Sequence, residues 1–95
     1  MSQTRTTVRI AGREYPISSS DGEAYVQRVA RYVDRKITEL SLATRLSALD
    51  SATLAAMTIA DELAKSQEEI ARLRRQLESE RDELQALRAE KEGRS

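Results

Sequence analysis

Adjacent carboxylates are the side chains of this sequence with the clearest potential for acid–base or metal chemistry. They occur as Asp61-Glu62, Glu68-Glu69 and Asp82-Glu83. The 95-residue chain has no cysteine and no histidine, so it lacks the usual catalytic thiol and the commonest acid–base group and metal ligand. The carboxylate pairs lie in a stretch with a coiled-coil pattern, where no pocket would raise a pKa or hold a substrate. The sequence therefore predicts a protein that is not an enzyme and that needs no cofactor and no metal.

Arginines form the other notable set of functional side chains. Arg28, Arg31 and Arg35 stand at positions i, i+3 and i+7, which places them within an arc of about 60° on one helix face. This basic face is either an ordinary solvated surface or a contact for an acidic partner. Arg13, in a predicted turn, and Arg45, in a predicted connector, are further candidates for a partner contact, and each is equally consistent with an ordinary surface residue.

The strongest pattern is a heptad repeat in the second half of the chain. Apolar residues recur with alternating spacings of four and three, which predicts a helix that buries one seam against another helix. The predicted seam residues are Ile59, Leu63, Ile70, Leu73, Leu77, Leu84 and Leu87. Ser66 and Glu80 occupy two core positions of the same seam. Such polar residues either fix register and partner number or are tolerated defects.

Charges beside the seam indicate how two chains would pair. The definite charges at the heptad g positions are all glutamate, and those at the e positions are all arginine. A parallel pair brings Glu69 near Arg74 and Glu83 near Arg88 of the partner helix, whereas an antiparallel pair opposes like charges. Each exposed pair is worth only about 0.2–1 kcal/mol, but the consistent sign predicts a parallel dimer.

The first half of the chain predicts a small head that combines strands and a helix. Residues 6–10 are β-branched and alternating, residues 11–14 predict a turn, and Tyr15-Pro16-Ile17 predicts a returning strand. Ser20 and Glu23 have the spacing of a capping box, which would begin a helix that runs to about Leu42. We therefore expect an α+β chain in which a hairpin-plus-helix head, residues 1–46, precedes a long coiled-coil helix, residues 47–95. The last residues are expected to fray.

The first helix should cover the hairpin with an apolar stripe. Val26, Val29, Ala30, Val33, Ile37 and Leu40 provide it. Tyr25 and Tyr32 flank this stripe and are expected to close the core while their hydroxyl groups reach water. Ser47 or Asp50 is the expected N-cap of the second helix.

Composition limits the possible partners. Lysine plus arginine and aspartate plus glutamate each total 16, which gives a net charge of zero and no bulk basic character for nucleic-acid binding. No apolar run has membrane-spanning length, so the sequence predicts a cytoplasmic protein without membrane insertion.

Several segments together resemble the ZapA family of bacterial cell-division proteins. The resemblance is carried by IAGREYPI (residues 10–17), by Tyr25-Val26 and Val33-Asp34, and above all by LAAMTIADEL (residues 54–63). It extends over roughly residues 6 to 88. The resemblance implies a protein that binds the tubulin-like GTPase FtsZ, crosslinks its protofilaments and promotes assembly of the division ring at mid-cell. It also implies dimers, and commonly tetramers made of two dimers joined through their coiled coils.

Two other functions compete with this interpretation. A zipper-type DNA-binding protein would need its basic stretch on the same continuous helix, directly before the seam, but residues 54–63 are largely apolar. A coiled-coil scaffold or chaperone for another cytoplasmic partner is compatible with the sequence.

Overall fold

The computed structural model describes residues 2–94. Two antiparallel strands come first, β1 (Thr4–Ile10) and β2 (Arg13–Ser19), and two helices follow, α1 (Glu23–Thr44) and α2 (Ala48–Gly93). This order confirms the predicted α+β class, with a hairpin and a helix before one long helix. The strands extend further than the predicted segments at both ends of the hairpin.

The hairpin turn contains two residues, not the four that the sequence predicted. Ala11 and Gly12 both have positive φ, 54° and 78°, and Ile10 pairs directly with Arg13. Positive φ at both central positions defines a type I′ turn, whose twist matches that of the flanking strands. Arg13 is consequently the first residue of β2 and not part of the turn.

Pro16 is accommodated in β2 by the register of the hairpin. It lies opposite Thr7. Counting from the pair that closes the turn, this is a pair without mutual hydrogen bonds, so a missing N–H costs no bond between the strands. For the same reason the Thr7 carbonyl points away from β2, and it accepts a hydrogen bond from Gln27 Nε2 at 3.0 Å.

The core lies between β1 and α1. Val8 of β1 is 2% exposed and packs with Val26 and Ala30, two members of the predicted stripe. Thr6 is equally buried, and its Oγ1 has no hydrogen-bond partner among the described residues. Because α1 packs on β1, Val29 stays 45% exposed.

Polar contacts join the hairpin turn to α1 and order the chain just before that helix. The backbone N–H of Ala11 donates to Asp34 Oδ1 at 2.8 Å, which ties the turn to the middle of α1. The predicted capping box is wrong: Gly22 is the N-cap of α1, and no side chain caps the helix. Before it, Ser19 Oγ accepts the backbone N–H of Asp21 at 3.0 Å, which fixes the chain before the helix begins.

The connector between the helices contains a left-handed residue. Arg45 is the C-cap of α1 with φ 55°, and its N–H donates to the Ser41 carbonyl. Ser47 caps α2, as one of the two alternatives predicted, because its Oγ accepts the N–H of Asp50 at 3.1 Å. A zipper-type DNA-binding protein requires a basic stretch that continues into the seam on one helix. Since α1 and α2 are separate helices, the basic face of α1 does not continue into the seam.

The chain divides after Ile59 into two compact units. The first contains the hairpin, α1 and the beginning of α2, where Ser51 and Ala55 are almost fully buried. Ser41 Oγ donates to Ser51 Oγ at 3.0 Å within this unit. The second unit is the rest of α2. The predicted functional division after residue 46 stays a prediction.

Candidate partner-binding surfaces

Three of the predicted contact arginines lie together around one aromatic ring. Arg28, Arg31, Tyr32 and Arg35 line an open pocket of about 450 Å³ on α1, which we call the arginine pocket. They occupy positions i, i+3, i+4 and i+7, which a helix places on one face. The structure thus gives the arginines a shared concave surface, which their spacing alone did not indicate.

Aromatic rings hold the basic side chains of this face in position. The Arg35 guanidinium and the Lys36 ammonium lie 5.2 and 5.3 Å from the centre of the Tyr32 ring. The Arg28 guanidinium lies 5.4 Å from the centre of the Tyr25 ring. Cation–π contacts of this length are worth about 0.5–1 kcal/mol at exposed sites. The predicted role of the tyrosines in closing the core is therefore incomplete, since Tyr25 is 48% exposed and both rings also support cations.

Carboxylates compensate little of this positive charge. Arg35 Nε lies 3.9 Å from Glu39 Oε1, with both side chains about 60% exposed, so the pair contributes little binding energy. Arg31 has no ion-pair partner in the part of the chain that the structure describes. The face thus retains positive potential for an anionic partner.

The two remaining candidate arginines lie elsewhere. Arg13 begins β2, and Arg45 caps the C-terminal end of α1. Neither lines the arginine pocket. Their predicted part in partner binding stays a prediction, separate from that of the pocket.

Two apolar depressions adjoin the exposed side of α1. The first, the hairpin groove, has a volume of about 320 Å³ and lies between β2 and α1, with Ile17, Tyr25 and Val29 among its lining residues. The second, the apolar groove, has a volume of about 360 Å³ and is lined by Arg28, Val29, Tyr32, Val33 and Ile59. Sequence reasoning missed both because it assigned Val29 and Val33 to the core. The sequence did contain a signal that Val29 and Val33 are not fully covered: Tyr15 and Ile17 are the only large apolar residues that β2 could place opposite them.

The predicted seam is exposed along α2 in the single chain. Ile59 is half-buried in the first unit, where it lines the apolar groove. The other six seam residues are between 47% and 62% exposed. They are Leu63, Ile70, Leu73, Leu77, Leu84 and Leu87. A row of half-exposed leucine and isoleucine side chains is typical of a helix that pairs with another helix.

Polar side chains in and beside the seam bond along their own helix. Arg72 donates from Nε to Glu69 Oε2 at 3.0 Å and from Nη1 to Gln76 Oε1 at 3.5 Å, and Gln76 Nε2 donates to Glu80 Oε1 at 3.4 Å. The hydrogen bonds from Arg72 hold the pKa of Glu69 below its ordinary value. Glu69 therefore has a partner within its own chain, with which the predicted contact to Arg74 of a second chain must compete.

The described residues offer little else for binding or anchoring. Within residues 2–94, no three carboxylate, histidine or cysteine side chains come together in a group that could hold a metal ion. No helix in this range has the length and apolar character to cross a membrane.

Comparison with protein families identifies the relatives of this fold. The family model described as Cell division protein ZapA matches residues 6–91. The chain belongs to the ZapA family. Cell division protein ZapA of Geobacillus kaustophilus (strain HTA426) is 41% identical over 81 residues, which cover 84% of this chain and 89% of that protein.

Solved structures agree with this ZapA assignment. A ZapA mutant dimer from Geobacillus stearothermophilus matches with a TM-score of 0.67 and 39% identity, covering 82% of this chain and 92% of the solved chain. A chain described as an unknown conserved bacterial protein from Pseudomonas aeruginosa PAO1 matches with a TM-score of 0.61 and 29% identity, covering 92% of both chains. The resemblance noted in residues 10–17 and 54–63 is thereby confirmed at the level of the family.

Proposed function

We propose that this ZapA family member is a non-enzymatic division protein that binds FtsZ and crosslinks its protofilaments. It acts in the cytoplasm at the mid-cell division site and promotes assembly and stability of the FtsZ ring. Membership of a family named for cell division supports this role. A crosslinker needs two things from its structure: a surface that joins copies, and a surface on each copy that holds the filament.

The observation that carries the proposal is the exposed seam of α2. Its leucine and isoleucine side chains are about half exposed in one chain, so pairing with a second helix would bury them and supply the driving force for association. The solved structure of a family member is that of a mutant dimer, which supports self-association of this chain as well. The charges beside the seam support a parallel dimer, and two such dimers can join into a tetramer.

The arginine pocket supplies the second requirement. Its guanidinium groups present positive charge with few carboxylates to neutralise it, and arginine suits bidentate contacts to carboxylates. We propose that this pocket meets an acidic surface of FtsZ. A dimer or tetramer carries several such pockets, and weak individual contacts then combine through their high effective concentration. Arg13 and Arg45 extend the proposed contact beyond the pocket.

The non-enzymatic part of the proposal rests on side-chain chemistry. The chain has neither histidine nor cysteine. Asp61, Glu68 and Asp82, one from each carboxylate pair, are exposed on α2, and none of them lines any of the three depressions described above.

The test is co-sedimentation with polymerised FtsZ. Wild-type protein should pellet with the polymers and raise their light scattering through bundling. Combined replacement Arg28→Glu, Arg31→Glu and Arg35→Glu should leave the protein in the supernatant, because it reverses the charge of the arginine pocket. Helical content and sedimentation mass should remain those of the wild type, since none of the three side chains belongs to the buried core.

A matched variant controls for the change in total charge. Arg5→Glu, Arg9→Glu and Arg94→Glu also reverses three exposed arginines but leaves the arginine pocket intact. This control should pellet as wild type does. If both variants lose binding equally, net charge and not the pocket governs the interaction; if neither does, the FtsZ contact lies elsewhere.

A further inference from the structure

The arginine pocket and the apolar groove are neighbours on the same face of the molecule. Arg28 and Tyr32 line both depressions. Beyond these shared residues, the pocket adds Arg31 and Arg35, whereas the groove adds only aliphatic side chains. One continuous surface therefore offers cationic binding on one side and apolar binding on the other.

The aliphatic side of this surface is accessible. Val29 is 45% exposed and Val33 is half-buried. Ile59 borders the groove but belongs to the predicted seam, so the accessible aliphatic side consists of the two valines. The Tyr32 ring stands between the two sides and is covered by the cations of Arg35 and Lys36. A ligand that carried only negative charge would contact the arginines and leave the aliphatic groove solvated. A ligand that also placed an apolar side chain against Val29 would remove apolar surface from water.

We propose that this combined surface binds a mixed acidic and apolar segment of the filament partner, with carboxylates in the arginine pocket and an apolar side chain in the apolar groove. The inference rests on the proposed function, to which it adds the chemistry of the bound segment. Charge complementarity favours this occupant over a second copy of the chain docked symmetrically, because the two-fold arrangement would bring the arginines of both copies together.

Two synthetic peptides test the proposed chemistry directly. One is a blocked octapeptide of five glutamates and three leucines, and the other has serine in place of each leucine. Each is titrated into the full-length protein and followed by NMR chemical shifts. The glutamate–leucine peptide should bind more tightly and should shift the amide signals of Arg28 and Val29. Equal affinity of the two peptides, or binding of neither, overturns the proposal.

Substitution of Val29 separates apolar from ionic recognition. Val29→Ser removes two methyl groups from a half-exposed position, which should weaken the glutamate–leucine peptide about three- to tenfold and leave the glutamate–serine peptide unaffected. Arg31→Gln should weaken both peptides and flatten the dependence of affinity on salt concentration. The isosteric Val29→Thr, which preserves the shape of the helix surface, should act in the same direction as Val29→Ser. An unchanged preference for leucine in both Val29 variants overturns the inference.

A control variant distinguishes the two grooves. Ile17 lines the hairpin groove but not the apolar groove, so Ile17→Ser should retain the peptide preference. If Ile17→Ser abolishes the preference, the segment lies in the hairpin groove and the assignment is wrong.

Co-sedimentation then relates the surface to the filament. Val29→Ser should weaken binding to FtsZ polymers by the same factor as it weakens the glutamate–leucine peptide, with the salt dependence unchanged. Normal FtsZ binding by Val29→Ser overturns the inference and leaves the proposed function standing. If wild-type protein selects the glutamate–leucine peptide but does not bind FtsZ, the proposed function fails while the chemistry of the surface is confirmed.

Discussion

Replacement of two seam leucines by charged residues should dissociate the assembly. Leu77 and Leu84 lie seven residues apart on α2, and each is 49% exposed in the single chain. In a paired helix the exposed half of each side chain becomes buried. Complete burial of a leucine side chain is worth about 1.5–3 kcal/mol, so the four half-leucines of a dimer contribute about 3–6 kcal/mol.

This free energy sets the size of the expected effect. Its loss raises the dissociation constant of the dimer about 10²- to 10⁴-fold, and Leu77→Glu with Leu84→Glu adds the cost of placing charge in the seam. Sedimentation equilibrium across a range of protomer concentrations should therefore show a lower mass than wild type. Bundling of FtsZ should fall in parallel, because single heads cannot bridge filaments.

A control with the same added charge tests the register. Ser79→Glu and Ala86→Glu also places two glutamates seven residues apart on α2, but at heptad positions outside the seam. This variant should keep the wild-type mass. A wild-type mass for the double leucine variant would refute the seam assignment, and equal dissociation of both variants would show that charge on the helix, not its position, controls assembly.

Three further predictions concern stability and chain orientation. Thr6→Val removes a hydroxyl whose oxygen is buried without a hydrogen-bond partner among the described residues. Urea titrations at a fixed protomer concentration should show a free energy of unfolding that is higher by about 1–3 kcal/mol. No gain would mean that the hydroxyl is satisfied. Ala11→Asn should stabilise the protein by about 0.5–1 kcal/mol because asparagine tolerates positive φ, whereas Gly12→Ala should destabilise it. The reverse order of stability in thermal melts would contradict the turn geometry. In a parallel dimer, Leu87→Cys protomers should form a disulfide with each other more readily than a mixture of Leu63→Cys and Leu87→Cys protomers forms mixed disulfides. Non-reducing gels measure both products. Preferential mixed crosslinking would indicate antiparallel pairing.

Periodic patterns made most of the fold predictable from the sequence. Alternation in residues 6–10 and helical spacing of Val26, Ala30 and Ile37 follow from the geometry of strands and helices, and these elements are where the patterns predict them. The Ser47 cap was also predictable, because its oxygen needs only a free N–H three residues ahead. The heptads predict a seam, and six of its seven apolar side chains are between 47% and 62% exposed in the single chain; that they pair stays a prediction.

Local contacts without periodicity were not predictable. The Ser20 and Glu23 spacing satisfied a capping pattern, but Gly22 is the N-cap of α1, and the chain before it is held by the hydrogen bond between Ser19 and Asp21. The bond from Ala11 to Asp34 joins residues 23 positions apart, a separation that no local pattern records. The arginine pocket was predictable as a set of positions but not as a concave surface, since its shape depends on Tyr32.

The two free edges of the hairpin limit one way in which copies of this protein could meet. The outer edge of β2 lacks its central donor because Pro16 points its nitrogen there, and the central acceptor on the outer edge of β1, the Thr7 carbonyl, is already occupied by Gln27. An incoming strand would find an interrupted ladder on either side. Close approach of many copies therefore does not favour extension of the sheet from one hairpin to the next. Backbone pairing between hairpins is thus disfavoured at the centre of both edges, which limits aggregation through the sheet.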